Sequence, residues 1–533
     1  MKRQIFFCCA LTLAALFGGC IKNDLPYPVV EIVFEAVEAE GLDGAADINL
    51  AQRTVTLPLL ETTDIRNVEI SQATITEGGS SSVAFPGTFD LRTPLYTTLS
   101  LYQDYAWSIV ATQTIDRYFN VRKQVGTALI DPANRTATAY VSRNTDLRNI
   151  EVTALKLGPA EITAYSPQIE GATSFESVRL VDVTAHGRTE QWRLFVEQTD
   201  VAVRITQCDA WARIAWLAAD GVRDTEMGFR YRKKGEEKWI TAPDVEVDGG
   251  TFHTRLSGLQ PETQYEVQAY SDADESGIQE FTTEAEPTLP NSGFETWSTI
   301  GEILYPYAAD AAPAERFWAT GNPGSMTLNK LVTTNEKDPR PGSEGIYCAR
   351  LRSQYVAVLG VGKFGAGNLF TGRYAKTQGT DGYVDFGQPF TGRPTALRGW
   401  VKYNRGKIDH IKNVPAGLKL SKGDPDQGII YIALGTWTAA EYGGTEQSPV
   451  GVFTGDVKTF FDSKGKDVVA YGELVMSSSI DQWQEFTIQL DYTSTSIRPT
   501  HLMIVCSASR YGDYFTGSSD SEMWVDDFEL VYE

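Results

Sequence analysis

The chain has 533 residues, too many for a single hydrophobic core, because domains usually contain about 100 to 200 residues. Aromatic residues make up 11% of the sequence and glycine occurs 47 times, a composition typical of folded β-rich domains rather than disordered chains. The formal net charge of −22 argues against nucleic acid and anionic lipid surfaces as binding partners.

The first residues predict a lipoprotein signal. A basic start is followed by an apolar stretch from Ile5 to Phe17 and by two glycines before Cys20. The apolar stretch is shorter than a membrane-spanning helix requires, and the pattern resembles a bacterial lipoprotein signal. We expect a signal peptide at residues 1–19, lipidation of the Cys20 thiol and a tether at residues 20–28. An ordinary signal peptide or a membrane helix is the alternative.

The residues after Cys20 bear on localisation. Lys22 and Asp24 resemble a weak form of the surface-export signal of Bacteroidota lipoproteins. We therefore expect an outer membrane lipoprotein, held to the membrane by its lipid anchor, on either the surface or the periplasmic face.

An internal repeat follows the tether. Residues 48–70 and 130–152 align at an offset of 82 residues, which matches Asp64 with Asp146. A repeat of this length indicates a duplicated domain, and a position shared by two copies favours a structural turn over a binding site. Strand-length apolar runs separated by turn signals indicate small sandwiches. We predict two Ig-like domains, at residues 29–114 and 115–200.

The next region carries a motif of its own. Ala210–Trp216 is predicted to be an early strand with one inward tryptophan, because Trp211 and Trp216 are an odd number of residues apart. The run from Leu256 to Val267 resembles the fibronectin type III pattern, in which a tyrosine, here Tyr265, ties its hydroxyl to nearby backbone. We predict a fibronectin type III-like domain at residues 203–283 and, from its prolines and acids, a linker at residues 284–290.

The last part of the chain is rich in tryptophan, tyrosine and turn signals. No segment has a helical period of convincing length, so we predict a two-sheet jelly roll at residues 291–533. Its first strand would contain Asn291–Trp297, and its last strand would be Met523–Tyr532, which alternates apolar and polar residues. The predicted fold class is thus all-β, with tandem Ig-like and fibronectin-like sandwiches before the jelly roll.

Four segments of this region resemble a known family. They are Asn291–Trp297, Leu397–Tyr403, Trp483–Ile488 and Trp524–Tyr532. In order and spacing they look like the PCMD family, the putative carbohydrate metabolism domain of Bacteroidota lipoproteins. The resemblance covers roughly residues 288–533, and it implies a carbohydrate-binding-module-like jelly roll at the C-terminus of a lipoprotein.

Two adjacent carboxylates interrupt the last predicted strand. Side chains of Asp526 and Asp527 would point to opposite faces of a regular strand, so they are a poor catalytic pair and one needs a partner. Glu295 would lie close if the first and last strands pair. Hard oxygen ligands suit Ca²⁺, so we predict a structural calcium site at these three residues. Hydrogen bonds or an ion pair with a basic residue are the alternative.

Sugar recognition requires flat aromatic faces together with polar side chains that bind hydroxyl groups. Trp437 lies in a loop-like setting, and Trp318 precedes a turn rich in glycine, asparagine and proline. The predicted ligand-binding residues are Trp318, Tyr403, Arg405, Asp409, Trp437 and Tyr511.

No motif supports catalysis. Glycoside hydrolysis typically uses two carboxylates at a defined separation, and nothing in the sequence links two of the many acids. We therefore predict a cell-envelope lipoprotein that displays a non-catalytic carbohydrate-binding domain on a stalk of sandwich domains. Its partners would be a glycan or polysaccharide and proteins of a polysaccharide-uptake locus. A glycoside hydrolase with its active site in the C-terminal domain, or a structural or adhesive surface lipoprotein, are the alternatives.

Overall fold

A computed structural model of the protein describes residues 31–169, 171–272, 274–358, 361–379, 381–415 and 417–533. The predicted signal peptide, Cys20 and the tether lie outside the described residues. The described chain is all-β, as predicted, and its sheets are not closed into barrels. Within those ranges no helix has the length and apolar character needed to cross a membrane. The chain divides into two compact units, Met1–Ile115 with Pro159–Ile162, and Asp116–Gly158 with Thr163–Glu533.

The first unit consists of two sheets around one core. Alternation along Thr54–Leu59 buries Val55 and Leu57, which pack with Trp107 from the neighbouring strand. The five-stranded sheet runs, in spatial order, Asp47–Asn49, Thr54–Leu59, Asp104–Gln113, Leu95–Ser100 and Ser80–Ser81. The three-stranded sheet runs Phe34–Ala39, Val68–Ile75 and Gly87–Phe89.

The second copy of the repeat has a matching set of strands. Its five-stranded sheet runs Gln124–Asp131, Thr136–Ser142, Arg188–Thr199, Arg179–Ala185 and Ala164–Ser166. Its three-stranded sheet runs Gly171–Thr173, Ile150–Lys156 and Tyr118–Val121. In both copies the second strand of the five-stranded sheet pairs in parallel with the third.

Asp64 and Asp146 occupy the same turn in the two copies. The backbone N–H of the residue two positions later donates to the aspartate side chain, at 3.1 Å to Asp64 and 3.0 Å to Asp146. The backbone N–H of Asn67 and of Asn149 donates to the carbonyl of the matching aspartate. The turn geometry agrees with the interpretation that these aspartates are structural.

The third group of strands forms two further sheets. The four-stranded sheet runs Arg204–Ala210, Ala215–Asp220, Thr251–Leu256 and Glu246–Asp248. The other sheet runs Ile240–Thr241, Met227–Lys233, Gln264–Ser271 and Asp274–Glu275, with Gln279–Thr282 also on Gln264–Ser271. Tyr265 is buried, and its hydroxyl accepts a hydrogen bond from the backbone N–H of Gln260 at 3.0 Å, as the motif predicts.

The prediction of a strand over Ala210–Trp216 is wrong. Residues 211–214 form the turn between two paired strands, so Trp211 is not an inward residue of the sandwich. Trp211 is buried instead against Tyr492 of the C-terminal region, with ring centroids 4.5 Å apart.

The C-terminal region contains two large facing sheets. One has nine strands, of which seven run in the spatial order Val450–Phe453, Asp381–Phe386, Asn368–Gln378, His501–Ser507, Gly428–Gly435, Val468–Met476 and Asp491–Tyr492. Two short strands complete it: Trp318–Thr320 pairs with Asn368–Gln378, and Gln388–Pro389 pairs with His501–Ser507. The other runs Thr333–Glu336, Cys348–Arg352, Glu522–Val531, Ala396–Asn404 and Ile480–Gln489. Two hairpins are separate, Ser298–Ile300 with Ile303–Tyr305, and Gln354–Val358 with Val361–Gly365. The short helices are Asn322–Ser325 and Ala439–Tyr442, with 3-10 turns at Pro313–Glu315, Met326–Leu328, Val457–Thr459 and Gly512–Tyr514.

The central strands of the nine-stranded sheet are buried on both faces. Along Gly428–Gly435, Ile430 and Ile432 pack into the core between the two sheets, whereas Ala433 packs into a second apolar cluster on the opposite face. Successive side chains alternate between faces, so a strand covered on both sides needs an uninterrupted apolar sequence. The second cluster, which includes Trp437, closes part of the outer face of this sheet.

The segment predicted as a linker, residues 284–290, is packed against the C-terminal region. The Arg393 guanidinium donates to both carboxylate oxygens of Glu284, at 3.2 and 2.9 Å, and to the carbonyl of Ala210 at 2.8 Å. Only 7% of the Arg393 side chain and 9% of the Glu284 side chain are exposed. The same guanidinium lies over the Trp211 ring. This junction therefore joins the third group of strands to the C-terminal region through a buried ion pair.

Replacing Arg393 should weaken this junction. Arg393→Ala leaves Glu284 buried without its main partner, so we expect a loss of about 3 kcal/mol in the free energy of unfolding. Arg498→Ala is the matched control, because Arg498 contacts the same carboxylate at 3.3 Å from an exposed position and should cost less than about 1 kcal/mol. Urea unfolding followed by tryptophan fluorescence measures the free energy of unfolding of both variants. Equal losses would contradict the conclusion that Arg393 is the main partner of Glu284.

Candidate functional site

The closing strand of the C-terminal region, Glu522–Val531, contains a β-bulge. Arg398 faces Glu529 and Trp400 faces Asp526 on the neighbouring strand, so the single residue Gly399 faces two residues, Asp527 and Phe528. Asp527 has a φ of 44°, the left-handed conformation that a bulge of this kind uses. A Cβ on Gly399 would lie 2.5 Å from the Phe528 ring, which explains glycine there. The bulge changes the side-chain alternation along the strand.

The bulge places both carboxylates outside the apolar core between the two sheets, although one of them is still shielded from solvent. Asp526 is fully buried and accepts hydrogen bonds from the backbone N–H groups of Arg340, at 2.8 Å, and Asp527, at 2.9 Å. The Arg340 guanidinium donates to the Asp527 side chain at 2.6 Å. Glu295 accepts instead from the backbone of Ile346 and Tyr347. The contacts observed at Glu295, Asp526 and Asp527 are therefore hydrogen bonds and an ion pair with a basic residue.

The predicted calcium site at Glu295, Asp526 and Asp527 stays a prediction. Ca²⁺ takes six to eight oxygen ligands, whereas the oxygens of Glu295 and Asp526 already accept backbone hydrogen bonds. Among the described residues no group of three or more His, Cys, Asp or Glu side chains is arranged to hold a metal ion. The prediction that Asn291–Trp297 is a strand is wrong, because this segment is irregular, although Ser292 accepts a hydrogen bond from Phe528.

Three of the predicted ligand-binding residues belong to the core. Trp318 is 1% exposed, and its Nε1–H donates to the carbonyl of Pro290 at 2.7 Å. Tyr403 is 1% exposed, and its hydroxyl donates to the carbonyl of Ala508. Trp437 is 2% exposed and packs in the apolar cluster of the outer face. A buried ring offers no face on which a sugar can stack, so these three predictions are corrected.

The other three predicted residues lie closer to the surface but support loops. The Arg405 guanidinium donates to the carbonyl of Ser477. The Asp409 carboxylate accepts from the backbone N–H of Ser519 at 3.0 Å and from its hydroxyl. Tyr511 is partly exposed, and its backbone carbonyl closes the 3-10 turn that follows it. The structure does not bring these residues together into one site.

A groove that the sequence interpretation missed lies at the edge of the nine-stranded sheet. It has a volume of about 820 Å³, within the range usual for ligand sites. The hairpin that ends at Tyr305, the strand Trp318–Thr320, the strand Asn368–Gln378 and the loop 445–448 form its walls. We call it the tyrosine groove, after its lining residues Tyr305, Tyr307 and Tyr374.

Tyr305 and Tyr307 give the groove an aromatic wall. Their rings stack with centroids 5.1 Å apart, and the Arg316 guanidinium lies 5.2 Å from the Tyr307 centroid. Arg316 is held by a hydrogen bond to the carbonyl of Ala311. Neither of these two phenol hydroxyls has a hydrogen-bond partner among the described residues. Partial burial raises the pKa of Tyr305 and raises that of Tyr307 to about 12, so both hydroxyls keep their protons at neutral pH.

The remaining wall of the groove is polar. The Gln447 amide donates to the side chain of Gln388 at 3.2 Å, and Gln388 donates to the carbonyl of Arg316 at 3.1 Å. Arg373 forms an ion pair with Asp385 at 2.7 Å. Among the described residues that line the groove, Glu446 is the single carboxylate. The groove thus combines stacked rings with fixed amide and guanidinium groups.

A sequence signal for this wall was present. Tyr305 and Tyr307 are separated by Pro306, and side chains two residues apart on an extended segment share a face. Tryptophans are the stronger composition signal, but large tryptophan rings fill cores as often as they line sites.

The C-terminal domain matches a known family. A family model described as "Putative carbohydrate metabolism domain" (PCMD) matches residues 293–531. Residues 293–531 are therefore similar to this family. The match confirms the resemblance predicted from the sequence motifs and connects this domain with carbohydrates. No curated protein matches the chain.

Two solved structures show remote similarity to the chain. One is described as a "putative glycoside hydrolase" from Bacteroides thetaiotaomicron VPI-5482, at 17% identity and a TM-score of 0.31, over 79% of this chain and 98% of the other. The second carries the same description and comes from Bacteroides vulgatus ATCC 8482, at 20% identity and a TM-score of 0.33, over 46% of this chain and 98% of the other. At these values the similarity supports no statement about activity.

The buried Asp526 predicts a pH dependence of stability. Burial, with the nearby charges of Asp527 and Glu295, raises the pKa of Asp526 from 3.8 to about 7, despite two backbone hydrogen bonds. The folded protein then keeps a proton that the unfolded chain releases, so stability is fully present below roughly pH 4 and is lost as pH rises toward about 7.

Asp526→Asn removes this titration. The free energy of unfolding of the wild type should fall relative to the variant by up to about 1.4 kcal/mol per pH unit between these limits. Urea unfolding at a series of pH values measures the difference. Parallel pH profiles for the two proteins would contradict the raised pKa.

Proposed function

We propose that the C-terminal domain binds a glycan non-catalytically in the tyrosine groove. The observation that carries this proposal is the pairing of the stacked Tyr305 and Tyr307 rings with a polar wall that holds only one carboxylate. The family match supports a carbohydrate as the ligand.

The chemistry of the wall suits a sugar. Pyranose rings have apolar faces formed by C–H groups, which pack against aromatic rings, and a rim of hydroxyl groups that need hydrogen-bond partners. Tyr305 and Tyr307 offer aromatic surface and two unpaired hydroxyls, while Gln447 and Arg316 are held in place by contacts with neighbouring groups. Side chains that are already fixed lose little conformational entropy when a ligand binds.

The groove does not supply the usual groups for hydrolysis. Glycosidases generally place two carboxyl groups on either side of the scissile bond, one to protonate the leaving oxygen and one to attack or activate water. Within the described lining, Glu446 stands alone, and its backbone carbonyl contacts the ring nitrogen of His501. Binding without cleavage is therefore the function that this geometry supports best.

We further propose that the protein is an outer membrane lipoprotein, on either the surface or the periplasmic face, that captures glycan for utilisation. The basic start, the apolar stretch and Cys20 support an anchor, and three sandwich domains precede the C-terminal domain. Proteins of a polysaccharide-uptake locus would be its partners.

Removing the aromatic wall should weaken glycan binding. Tyr305→Ala and Tyr307→Ala should each raise Kd about tenfold, because stacking on one ring contributes about 1 to 1.5 kcal/mol. Tyr96→Ala is the control, since Tyr96 is a 74% exposed tyrosine of the first unit. Affinity electrophoresis against a panel of neutral and acidic polysaccharides, with analysis of released sugars, measures binding and cleavage together.

The outcomes separate the candidate functions. Loss of binding in the two groove variants alone, without released sugar, supports the proposal. Oligosaccharide release that disappears in Glu446→Gln would establish a hydrolase instead. Failure to bind any polysaccharide would favour a structural or adhesive role.

The anchor has its own test. In cells fed an alkyne-labelled fatty acid, the wild-type protein should take up label and fractionate with the outer membrane. Cys20→Ala should take up none and leave the membrane fraction. A labelled Cys20→Ala variant, or an unlabelled wild type, would contradict lipidation at Cys20.

A further inference from the structure

Two smaller cavities continue from the tyrosine groove along the same domain. The first has a volume of about 170 Å³ and shares Tyr374 with the groove. The second has a volume of about 230 Å³ and shares Lys363, Phe364 and Phe515 with the first. The shared lining residues place the three cavities next to one another in this domain.

The lining of these cavities is basic, although the chain is acidic. The whole sequence contains 69 acidic and 47 basic residues. The acidic side chains on the three linings are Glu446 and Asp513. The basic side chains are Arg316, Lys363, Arg373, Lys376, Lys412 and Arg510. The distribution of charge here is opposite to that of the rest of the protein.

Some of these cations are neutralised by neighbours. Arg373 pairs with Asp385 at 2.7 Å, Arg510 lies 3.6 Å from Glu473, and Lys412 lies 3.4 Å from Asp381. Lys363 and Lys376 have no carboxylate within ion-pair distance in the described part of the chain. Lys376 is exposed, with its ammonium 4.4 Å from the centroid of the Tyr383 ring, whereas Lys363 is partly buried and lines both smaller cavities.

The ammonium groups of Lys363 and Lys412 share one aromatic neighbour, and Asp381 is the carboxylate beside Lys412. Their ammonium groups lie 4.3 and 4.5 Å from the centroid of the same ring, that of Phe515. The stacked rings of Tyr355 and His410, 3.8 Å apart, form the opposite part of the lining. Burial and the charge of Lys412 lower the pKa of Lys363 to about 8, against the opposing effect of Asp381. A bound anion would offset both the lost hydration and the repulsion.

We infer that the cavity between Lys363 and Lys412 takes the carboxylate of a uronic acid residue, so that the glycan of the tyrosine groove is an acidic polysaccharide. This inference rests on the proposed function, because the shared lining residues connect the cavity to the groove. The wall of Tyr305 and Tyr307 packs against one sugar ring of the polysaccharide, and the two ammonium groups bind the carboxylate of another. The net charge of −22 repels a polyanion, so binding depends on this local basic lining.

The test compares each acidic polysaccharide with its own methyl ester, which has the same sugars without the charge. Polygalacturonate and alginate are the probes, and isothermal titration with the purified full chain gives Kd for each form. We expect the acid form of at least one probe to bind about tenfold more tightly than its ester, since one ion pair of this kind contributes about 1.4 kcal/mol.

The variants Lys363→Gln and Lys412→Gln should each remove most of this preference, because they weaken binding of the acid form. Lys363 has no ion-pair partner among the described residues, and Lys412 is half-exposed in its pair with Asp381, so neither variant should unfold the protein; thermal unfolding of the variants checks this. Lys238→Gln is the control, an exposed lysine of the third group of strands, and it should keep the full preference.

The results distinguish this inference from the proposed function. Two results overturn the uronate site: equal binding of acid and ester, or binding of neutral polysaccharides alone. If Tyr305→Ala also loses that binding, the proposed function of the tyrosine groove still holds. A preference for dextran sulfate over dextran that depends on Lys363, without a preference for uronates, also overturns it. Failure to bind any polysaccharide contradicts both.

Discussion

The β-bulge at Asp527 and Phe528 determines how the closing strand contributes to the C-terminal domain. Before the bulge, Met523 and Val525 face the core, and after it Phe528 and Leu530 do so, because the extra residue reverses the alternation. Without the bulge one half of this central strand would place its apolar residues on the wrong face. The strand lies in the middle of the five-stranded sheet, so the core against which the nine-stranded sheet packs depends on it.

A second constraint holds the C-terminal domain to the group of strands before it. The Arg393–Glu284 pair is nearly enclosed, and the Trp211 ring packs on Tyr492 beside it. A buried guanidinium is tolerated only when its donors are satisfied, and here the carboxylate and backbone carbonyls accept them. The segment at residues 284–290 is therefore part of a packed junction between the third group of strands and the C-terminal region.

The sequence predicted local features well and long-range contacts poorly. The repeat turn at Asp64 and the tie of Tyr265 depend on residues close in the chain, and both agree with the structure. The bulge could also have been predicted, because apolar residues change from odd to even positions between Val525 and Phe528. The burial of Trp318 depends on partners far away in sequence, which spacing does not reveal. The tyrosine groove could not be predicted for the same reason, because its walls come from segments that are far apart in the sequence.

In this interpretation the outer edge of the nine-stranded sheet binds the ligand, and the two adjacent carboxylates of the closing strand have a structural role. A crystal structure of the protein with a bound oligosaccharide of the polysaccharide that it retains tests this most directly. We predict an intact sugar chain, one ring of which packs on the wall of Tyr305 and Tyr307. A sugar bound elsewhere, or a cleaved chain beside Glu446, would contradict it.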